Sequence, residues 1–346
     1  AGERLTFGPG TVRETAPAPV RPPDVSKTVV RGTAERRDWG YAGLLAFTAV
    51  LLLRPQDHIP QLNALHLAEV CALVGIGRML FDRVARGAPL FRLTTETFAL
   101  IAFGMVIVAT VPFSFWPGGA LQEFFDSYLK ALVVFVLMVN TVTTVKRLDQ
   151  ITWVILVCVG YIAARGVFDY ARGVNLIEGG RLAGPVGGMF GNPNDLAMNM
   201  VTLAPVAAVM AMSRWQPRWR RLSAALIVVL MIATAVFSKS RGGGIGLLIM
   251  LGALMWLGRK VRPQIVPVAL GAILIGTPLL PASFWTRMAS IVDPQQDKQE
   301  FTGSREARRL LMQEGIDAFL DHPITGVGAG QFKNYNPPDR QEAWHE

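Results

Sequence analysis

Five arginines in the second half of the chain are the residues best suited to bind an anion: Arg181, Arg241, Arg305, Arg308 and Arg309. A guanidinium group keeps its charge at any physiological pH and can donate two parallel hydrogen bonds to phosphate oxygens. Glycines lie close to Arg181 and directly after Arg241, where they allow backbone to approach a bulky ligand. The pattern predicts phosphate binding, and the alternative is that each arginine only pairs with lipid headgroups.

The histidines offer one candidate for proton transfer. His345 lies in a polar segment, and an imidazole there can titrate near neutral pH and act as a general base. We expect the other three, His58, His66 and His322, to be structural. The sequence contains no P-loop and no His-Glu-x-x-His or Cys-x-x-Cys spacing, and Cys71 and Cys158 lie within apolar runs. It therefore predicts neither a metal site nor a bound cofactor.

Long apolar blocks separate these polar residues. Half of the 346 residues are hydrophobic and only 17% are charged, against the roughly 25% that is usual for soluble domains. The pattern predicts an all-α polytopic membrane protein with about nine transmembrane helices. The candidate spans are 39–53, 61–81, 95–113, 124–143, 149–168, 194–212, 222–238, 242–257 and 264–281. The charged, glycine-rich run 238–244 separates the seventh span from the eighth, and Asn192 with Pro193 predicts the start of the sixth.

Basic residues alternate between the loops that join these spans. Thirteen lie in four alternate loops and six in the intervening ones, so the positive-inside rule places the N-terminus in the cytoplasm. The domains predicted are a disordered cytoplasmic tail over 1–37, a transmembrane domain over 38–281 and a large outer loop over 282–346. That loop contains an amphipathic helix over 304–320. The net charge of +9 thus reflects membrane orientation rather than binding of nucleic acid.

Several short motifs occur in a recognisable order on the predicted outer side. They are Arg181-x-x-Gly184, Phe190-Gly191-Asn192-Pro193-Asn194-Asp195, Ser240-Arg241-Gly242-Gly243, Arg305, and His322-Pro323 followed by Gly326-Val327-Gly328. Arg54-Pro55-Gln56-Asp57 comes after the first span. Together, over residues 40 to 346, the chain resembles the O-antigen ligase and polymerase superfamily.

The resemblance implies a metal-independent glycosyltransferase of the bacterial inner membrane. Its donor would be a glycan on a polyprenyl-pyrophosphate lipid. Arg241 and Arg305 match the arginines that bind the pyrophosphate, with Arg181 and Arg309 as further candidates. The family histidine lies in a His-Asn pair after the Gly-Val-Gly segment, whereas His345 is followed by Glu346. Since the family has further spans, the resemblance also predicts that the chain is truncated at the C-terminus.

The sequence leaves several functions open. The acceptor hydroxyl could belong to a lipid A core, a polysaccharide or a pilin-like protein. A solute or bicarbonate transporter of the same superfamily is the alternative from another class, and a non-catalytic assembly partner is a third. A transporter should have a continuous polar path through the bilayer. A transferase should instead have a groove beside the arginines, open to the outer leaflet.

Overall fold

A computed structural model of the protein describes residues 38–261, 265–291 and 304–335. These residues are almost entirely helical, with one two-stranded antiparallel hairpin, β1 (Leu176–Ile177) and β2 (Arg181–Leu182). The first helices are α1 (Trp39–Leu53), α2 (Pro55–His58), α3 (Leu67–Val84), α4 (Thr95–Thr110), α5 (Pro117–Glu123) and α6 (Lys130–Thr141). A π-helical turn, Phe124–Leu129, joins α5 to α6. The remaining helices are α7 (Val145–Ala171), α8 (Pro193–Met212), α9 (Arg218–Phe237), α10 (Arg241–Val261), α11 (Ile265–Gly276), α12 (Ala282–Ala289) and α13 (Ser304–Asp321).

Seven helical segments of the described chain are long and apolar enough to cross a membrane. They are Pro60–Val84, Thr95–Phe113, Pro117–Thr141, Val145–Ala171, Pro193–Met212, Arg218–Phe237 and Arg241–Arg259. Helices also form at the first and ninth predicted spans, but α1 has 15 residues and α11 has 12. Both are shorter than the roughly 20 residues that cross a bilayer comfortably. The all-α polytopic class is confirmed, whereas the number nine is not.

Local sequence signals set several helix boundaries. Asn192 caps α8 by accepting a hydrogen bond from the backbone N–H of Asn194 at 2.8 Å, and Pro193 occupies the first helical position as predicted. Thr144 caps α7 in the same way through the N–H of Arg147. The predicted break after the seventh span is also present, since α9 ends at Phe237 and α10 begins at Arg241.

The main core lies among α7, α8 and α9. Phe190, Leu196, Met200 and Met231 are fully buried there. Thr234 of α9 donates a hydrogen bond to the carbonyl oxygen of Ala163 in α7 at 2.9 Å. Small residues bring helices together elsewhere in the protein: a Cβ atom on Gly43 of α1 would lie 2.5 Å from the Cα of Gly75 in α3. Such close backbone approach is typical of helices packed in a membrane.

The connecting segments meet at two ends of the helical bundle. At one end, which we call the Arg220 end, Asp149 accepts hydrogen bonds from Gln216 and Arg220, and Arg83 donates to the carbonyl of Asn140. These segments are the ones predicted to be cytoplasmic. The segments predicted to be outside contact one another at the opposite end, which we call the Arg181 end. Which end faces the cytoplasm stays a prediction.

Candidate functional site

The β1–β2 hairpin presents Arg181 at the Arg181 end. Ile177 pairs with Arg181 across the hairpin, and Gly179 and Gly180 form its turn with φ angles of 70° and 62°. Positive φ angles are readily adopted by glycine because it has no Cβ atom. Gly179 and Gly180 therefore turn the chain tightly enough for the side chain of Arg181 to point back across the start of α8.

Arg181 contacts two other segments at this end. Its Nη2 donates to Oδ1 of Asn194 at 2.8 Å, and its Nε donates to the carbonyl oxygen of Ser238 at 3.3 Å. Oδ1 of Asn194 also accepts a hydrogen bond from the hydroxyl of Ser240 at 3.0 Å. Asn194 in the first turn of α8 thus joins Arg181 to the residue immediately before Arg241.

Arg241 is the first residue of α10. Its Nη1 donates to the hydroxyl of Ser290, just after α12, at 3.3 Å. The hydroxyl of Ser240 accepts from the N–H of Gly243 at 3.2 Å, so it satisfies one of the free donors in the first turn of α10. Arg181 and Arg241 are both half-buried. Hydrogen bonds join Arg181, Asn194, Ser238 and Ser240, and the peptide bond after Ser240 connects them to Arg241, which binds Ser290. We call this group the arginine cluster.

The glycines after Arg241 decide how closely α10 packs. A Cβ atom on Gly243 would lie 2.7 Å from Cβ of Ala197 in α8, and one on Gly244 would lie 2.7 Å from Sδ of Met288 in α12. A Cβ atom on Gly242 would have no other atom within 4 Å. The start of α10 is therefore wedged between α8 and α12 on one side and open on the other, beside Arg241.

Two buried cations accompany the cluster and were not among the predicted site residues. Lys239 and Arg287 each expose only 6% of their surface. Burial lowers the pKa of the Lys239 ammonium, and the positive charge of Arg287 lowers it further. Lys239 is one of the six basic residues in the intervening loops, and its sequence context gave no other signal. Arg287 lies in the eight-residue α12, and only tertiary packing brings it near residue 239.

The remaining predicted site residues have different positions. The side chain of Arg305 and the whole of His345 lie outside the described part of the structure. Arg309 is exposed on α13, and none of its described contacts join it to the arginine cluster. The described residues thus bring Arg181 and Arg241 together, and the roles of Arg305, Arg309 and His345 stay predictions. A helix, α13, covers the range predicted over 304–320, and its amphipathic character stays a prediction.

The segment after α13 packs against the connection between α4 and α5. The N–H of Phe115 donates to the carbonyl of Val327 at 3.2 Å, and the Phe115 ring makes an edge contact with His322 at 5.5 Å between centroids. Gly326, Gly328 and Gly330 all have positive φ angles. The Gly-Val-Gly motif therefore forms tight turns that fit this contact, in which the His322 ring takes part. That His322 has only a structural role stays a prediction.

The Arg54-Pro55-Gln56-Asp57 motif contacts the glycine-rich turn before α8. Oδ2 of Asp57 accepts hydrogen bonds from Nε of Arg54 at 2.8 Å and from the N–H of Gly187 at 2.7 Å. The motif thus anchors the turn that leads from Arg181 to Asn194. Within the described residues, no group of three or more His, Cys, Asp or Glu side chains is arranged to hold a metal ion.

Comparison with known proteins gives one match. Residues 226–346 match the family model described as O-antigen ligase, and the matched range includes Ser240, Arg241, α12 and α13. No curated protein and no solved structure matches the chain. The match supports a glycosyltransferase-like enzyme, and neither it nor the described residues favour the transporter alternative. With its apolar helices, the protein is a multi-pass membrane protein. The match confirms, for residues 226–346, the resemblance to the O-antigen ligase superfamily.

Proposed function

We propose that this protein transfers a glycan from a polyprenyl-pyrophosphate lipid to an acceptor hydroxyl at the outer face of the bacterial inner membrane. The observation that carries the proposal is the joining of Arg181 and Arg241 through Asn194 and Ser240. Two half-buried guanidinium groups beside the open side of a helix N-terminus are suited to a diphosphate. The positive end of the helix dipole and the free N–H groups add to the attraction.

The chemistry of such a transfer requires charge stabilisation more than acid catalysis. The acceptor oxygen attacks the anomeric carbon of the donor sugar and forms the new C–O bond. The bond from that carbon to the pyrophosphate oxygen breaks, and its electron pair leaves with the polyprenyl pyrophosphate. Direct displacement inverts the configuration at this carbon. Arginines placed at the leaving group stabilise the charge that develops there.

The other predicted residues complete this proposal. Arg305 would bind the pyrophosphate together with Arg241, and Arg309 would add a further positive charge on the same helix. His345 would accept the proton of the acceptor hydroxyl, since an imidazole that titrates near neutral pH is an efficient general base. The acceptor is a hydroxyl of a lipid A core, a polysaccharide or a protein, and the reaction needs no divalent metal.

The test is a transfer assay with the purified full-length protein. It is incubated with a polyprenyl-pyrophosphate glycan and each class of acceptor in the presence of EDTA. We expect Arg241→Ala and Arg181→Ala each to lower kcat/KM by about 100-fold, the scale on which lost transition-state contacts act. We expect the same loss of kcat/KM for Arg305→Ala. His345→Ala should remove the general base.

Matched controls separate site contacts from loss of positive charge. Arg259→Ala removes a guanidinium from the other end of α10, where it stacks on Trp256. Arg172→Ala removes an exposed arginine at the Arg181 end that contacts Phe168. Both variants should transfer at wild-type rates. Full activity in Arg241→Ala and Arg181→Ala, or no transfer by the wild-type protein to any acceptor, would contradict the proposed function.

A further inference from the structure

Lys239 has an unusual position for a lysine between two membrane-spanning helices. Its backbone is left-handed, with a φ angle of 50°, which is uncommon for a residue other than glycine. Its side chain is buried although it carries a long and strongly hydrated ammonium group. Both features cost free energy, so the surrounding structure must compensate for them.

The contact that Lys239 makes is with the hairpin of Arg181. Its Nζ donates a hydrogen bond to the carbonyl oxygen of Gly179 at 3.0 Å. The fit is close, since a Cβ atom on Gly180 would lie 3.1 Å from the same Nζ. A side chain from the 238–240 turn thus reaches the turn of the hairpin.

Arg181 makes the reciprocal contact in the opposite direction. Its guanidinium reaches from the hairpin to the carbonyl of Ser238, directly before Lys239 in the chain. The hairpin and the 238–240 turn are therefore linked twice, once by a cation from each side. Arg241 follows this turn by one residue, so the two links act, together with the Asn194 bridge, on the distance between Arg181 and Arg241.

Arg287 gives this arrangement an electrostatic consequence. Burial lowers the pKa of Lys239, and the charge of Arg287 is close enough to disfavour the ammonium form further. Arg287 is also tied to the arginine cluster, because its carbonyl oxygen accepts a hydrogen bond at 2.8 Å from the hydroxyl of Ser290, which binds Arg241. Two buried cations are thus in contact with the segments that carry the two half-buried arginines.

We propose that Lys239 is a positioning residue of the pyrophosphate site: its ammonium holds the Arg181 hairpin against the turn that leads into Arg241. The inference rests on the proposed function, since the distance being set is the one between the two arginines that bind the donor. Lys239 does not itself need to touch the donor.

Three substitutions separate the hydrogen bond from the charge. Lys239→Arg keeps both, Lys239→Gln keeps a donor without charge, and Lys239→Met removes both at similar length. We expect Lys239→Met to raise the KM for the polyprenyl-pyrophosphate donor about tenfold, the effect of losing one charged hydrogen bond. The KM for the acceptor should not change. Lys239→Gln should be intermediate, and Lys239→Arg should remain within about threefold of wild type.

Lys333→Met is the matched control, because it removes an exposed lysine next to the segment that packs on Phe115 and leaves the hairpin intact. Hydrogen exchange of the full-length protein supplies a readout that does not depend on transfer. We expect the amides of residues 176–182 to exchange faster in Lys239→Met than in wild type, while those within α8 and α9 keep their protection.

These readouts distinguish the inference from the proposed function. An active wild type whose donor KM and hairpin exchange are both unchanged by Lys239→Met would overturn the positioning role and leave the transferase intact. A wild type that neither binds nor transfers from a polyprenyl-pyrophosphate glycan would overturn the proposed function. In that case faster hairpin exchange in Lys239→Met would still support the link to Gly179, and unchanged exchange would overturn it.

Discussion

At the scale of single residues, the carboxylate of Asp57 shows how one side chain joins distant parts of the chain. It bridges Arg54, directly after α1, and the N–H of Gly187, in the turn before α8. Burial opposes ionisation of this carboxyl, but the hydrogen bonds from Arg54 and Gly187 outweigh it and hold its pKa below the usual value. The charged form of Asp57 therefore stabilises the packing of the glycine-rich turn.

The protection of this turn should depend on pH. Because the folded-state pKa of Asp57 is depressed, its contribution is present above the ordinary Asp pKa of about 4 and is lost as the pH falls through the folded value. We expect hydrogen exchange of residues 184–191, corrected for intrinsic rates, to speed up in that acid range. Asp57→Asn should exchange faster already at neutral pH, with at most about 1 kcal/mol lost because the pair is partly exposed.

The control for this prediction is Asp82→Asn, which removes a carboxylate of α3 that pairs with Arg78 and Arg86. It should leave the exchange of residues 184–191 unchanged. If Asp57→Asn retained the acid-dependent loss of protection, another group would be responsible.

At the scale of elements, the position of α13 depends on the turns that follow it. Gly328 has a φ angle of 102°, and a Cβ atom there would lie 2.2 Å from Cβ of Ser114. Gly326 also has a positive φ angle, 65°, but no atom lies within 4 Å of the position that its Cβ atom would take. The two glycines thus share a conformational requirement and differ in their neighbours.

Alanine at these two positions should therefore have unequal effects. Gly326→Ala should cost about 1–2 kcal/mol, the penalty of a left-handed residue. In Gly328→Ala the new methyl group would also collide with Ser114. We therefore expect residues 322–335 to separate from Phe115. Limited proteolysis of this segment in membranes should show strong cleavage in Gly328→Ala and little change in Gly326→Ala. Equal cleavage in the two variants would mean that backbone strain, rather than contact with Ser114, governs the packing.

At the scale of the whole molecule, the helices place their connections alternately at two ends. The Arg220 end contains the hydrogen bonds of Asp149, and the Arg181 end contains the arginine cluster and the contact of Phe115 with Val327. The proposed function requires the Arg181 end to face away from the cytoplasm, since the transfer is proposed for the outer face of the inner membrane. Membrane orientation is therefore a test of the whole proposal.

Cysteine labelling gives this test directly. Cys71 and Cys158 are first replaced by alanine, and a single cysteine is then introduced at Ile324, which is 92% exposed, or at Trp215, which is 65% exposed near the opposite end. In intact spheroplasts a membrane-impermeant maleimide should label Ile324→Cys and not Trp215→Cys. Both should react after the membrane is opened with detergent. The reverse pattern would place the arginine cluster in the cytoplasm and contradict the proposed transfer.

Local patterns in the sequence were enough to predict the helical class, most segment positions and several boundaries. The cap at Asn192, the break between Phe237 and Arg241 and the helix over residues 304–321 all depend on neighbours within a few positions in the chain. Such interactions can be read from residue types and spacing alone. The lengths were less predictable: α7 extends over Val145–Ala171 rather than 149–168, because apolar blocks do not show where a helix continues past the membrane core.

Only the tertiary structure decided which polar residues meet. Asn194 lies 46 positions from Ser240, and Lys239 lies 60 positions from Gly179, yet each pair forms one hydrogen bond. Nothing in the spacing indicated these partners, nor the burial of Arg287 near Lys239. The physical reason is that a contact between distant segments depends on how helices pack, which is a property of all their faces together. The sequence by itself thus determined the membrane helices and the candidate arginines, and packing decided that Arg181 and Arg241 lie close together, joined through Asn194 and Ser240.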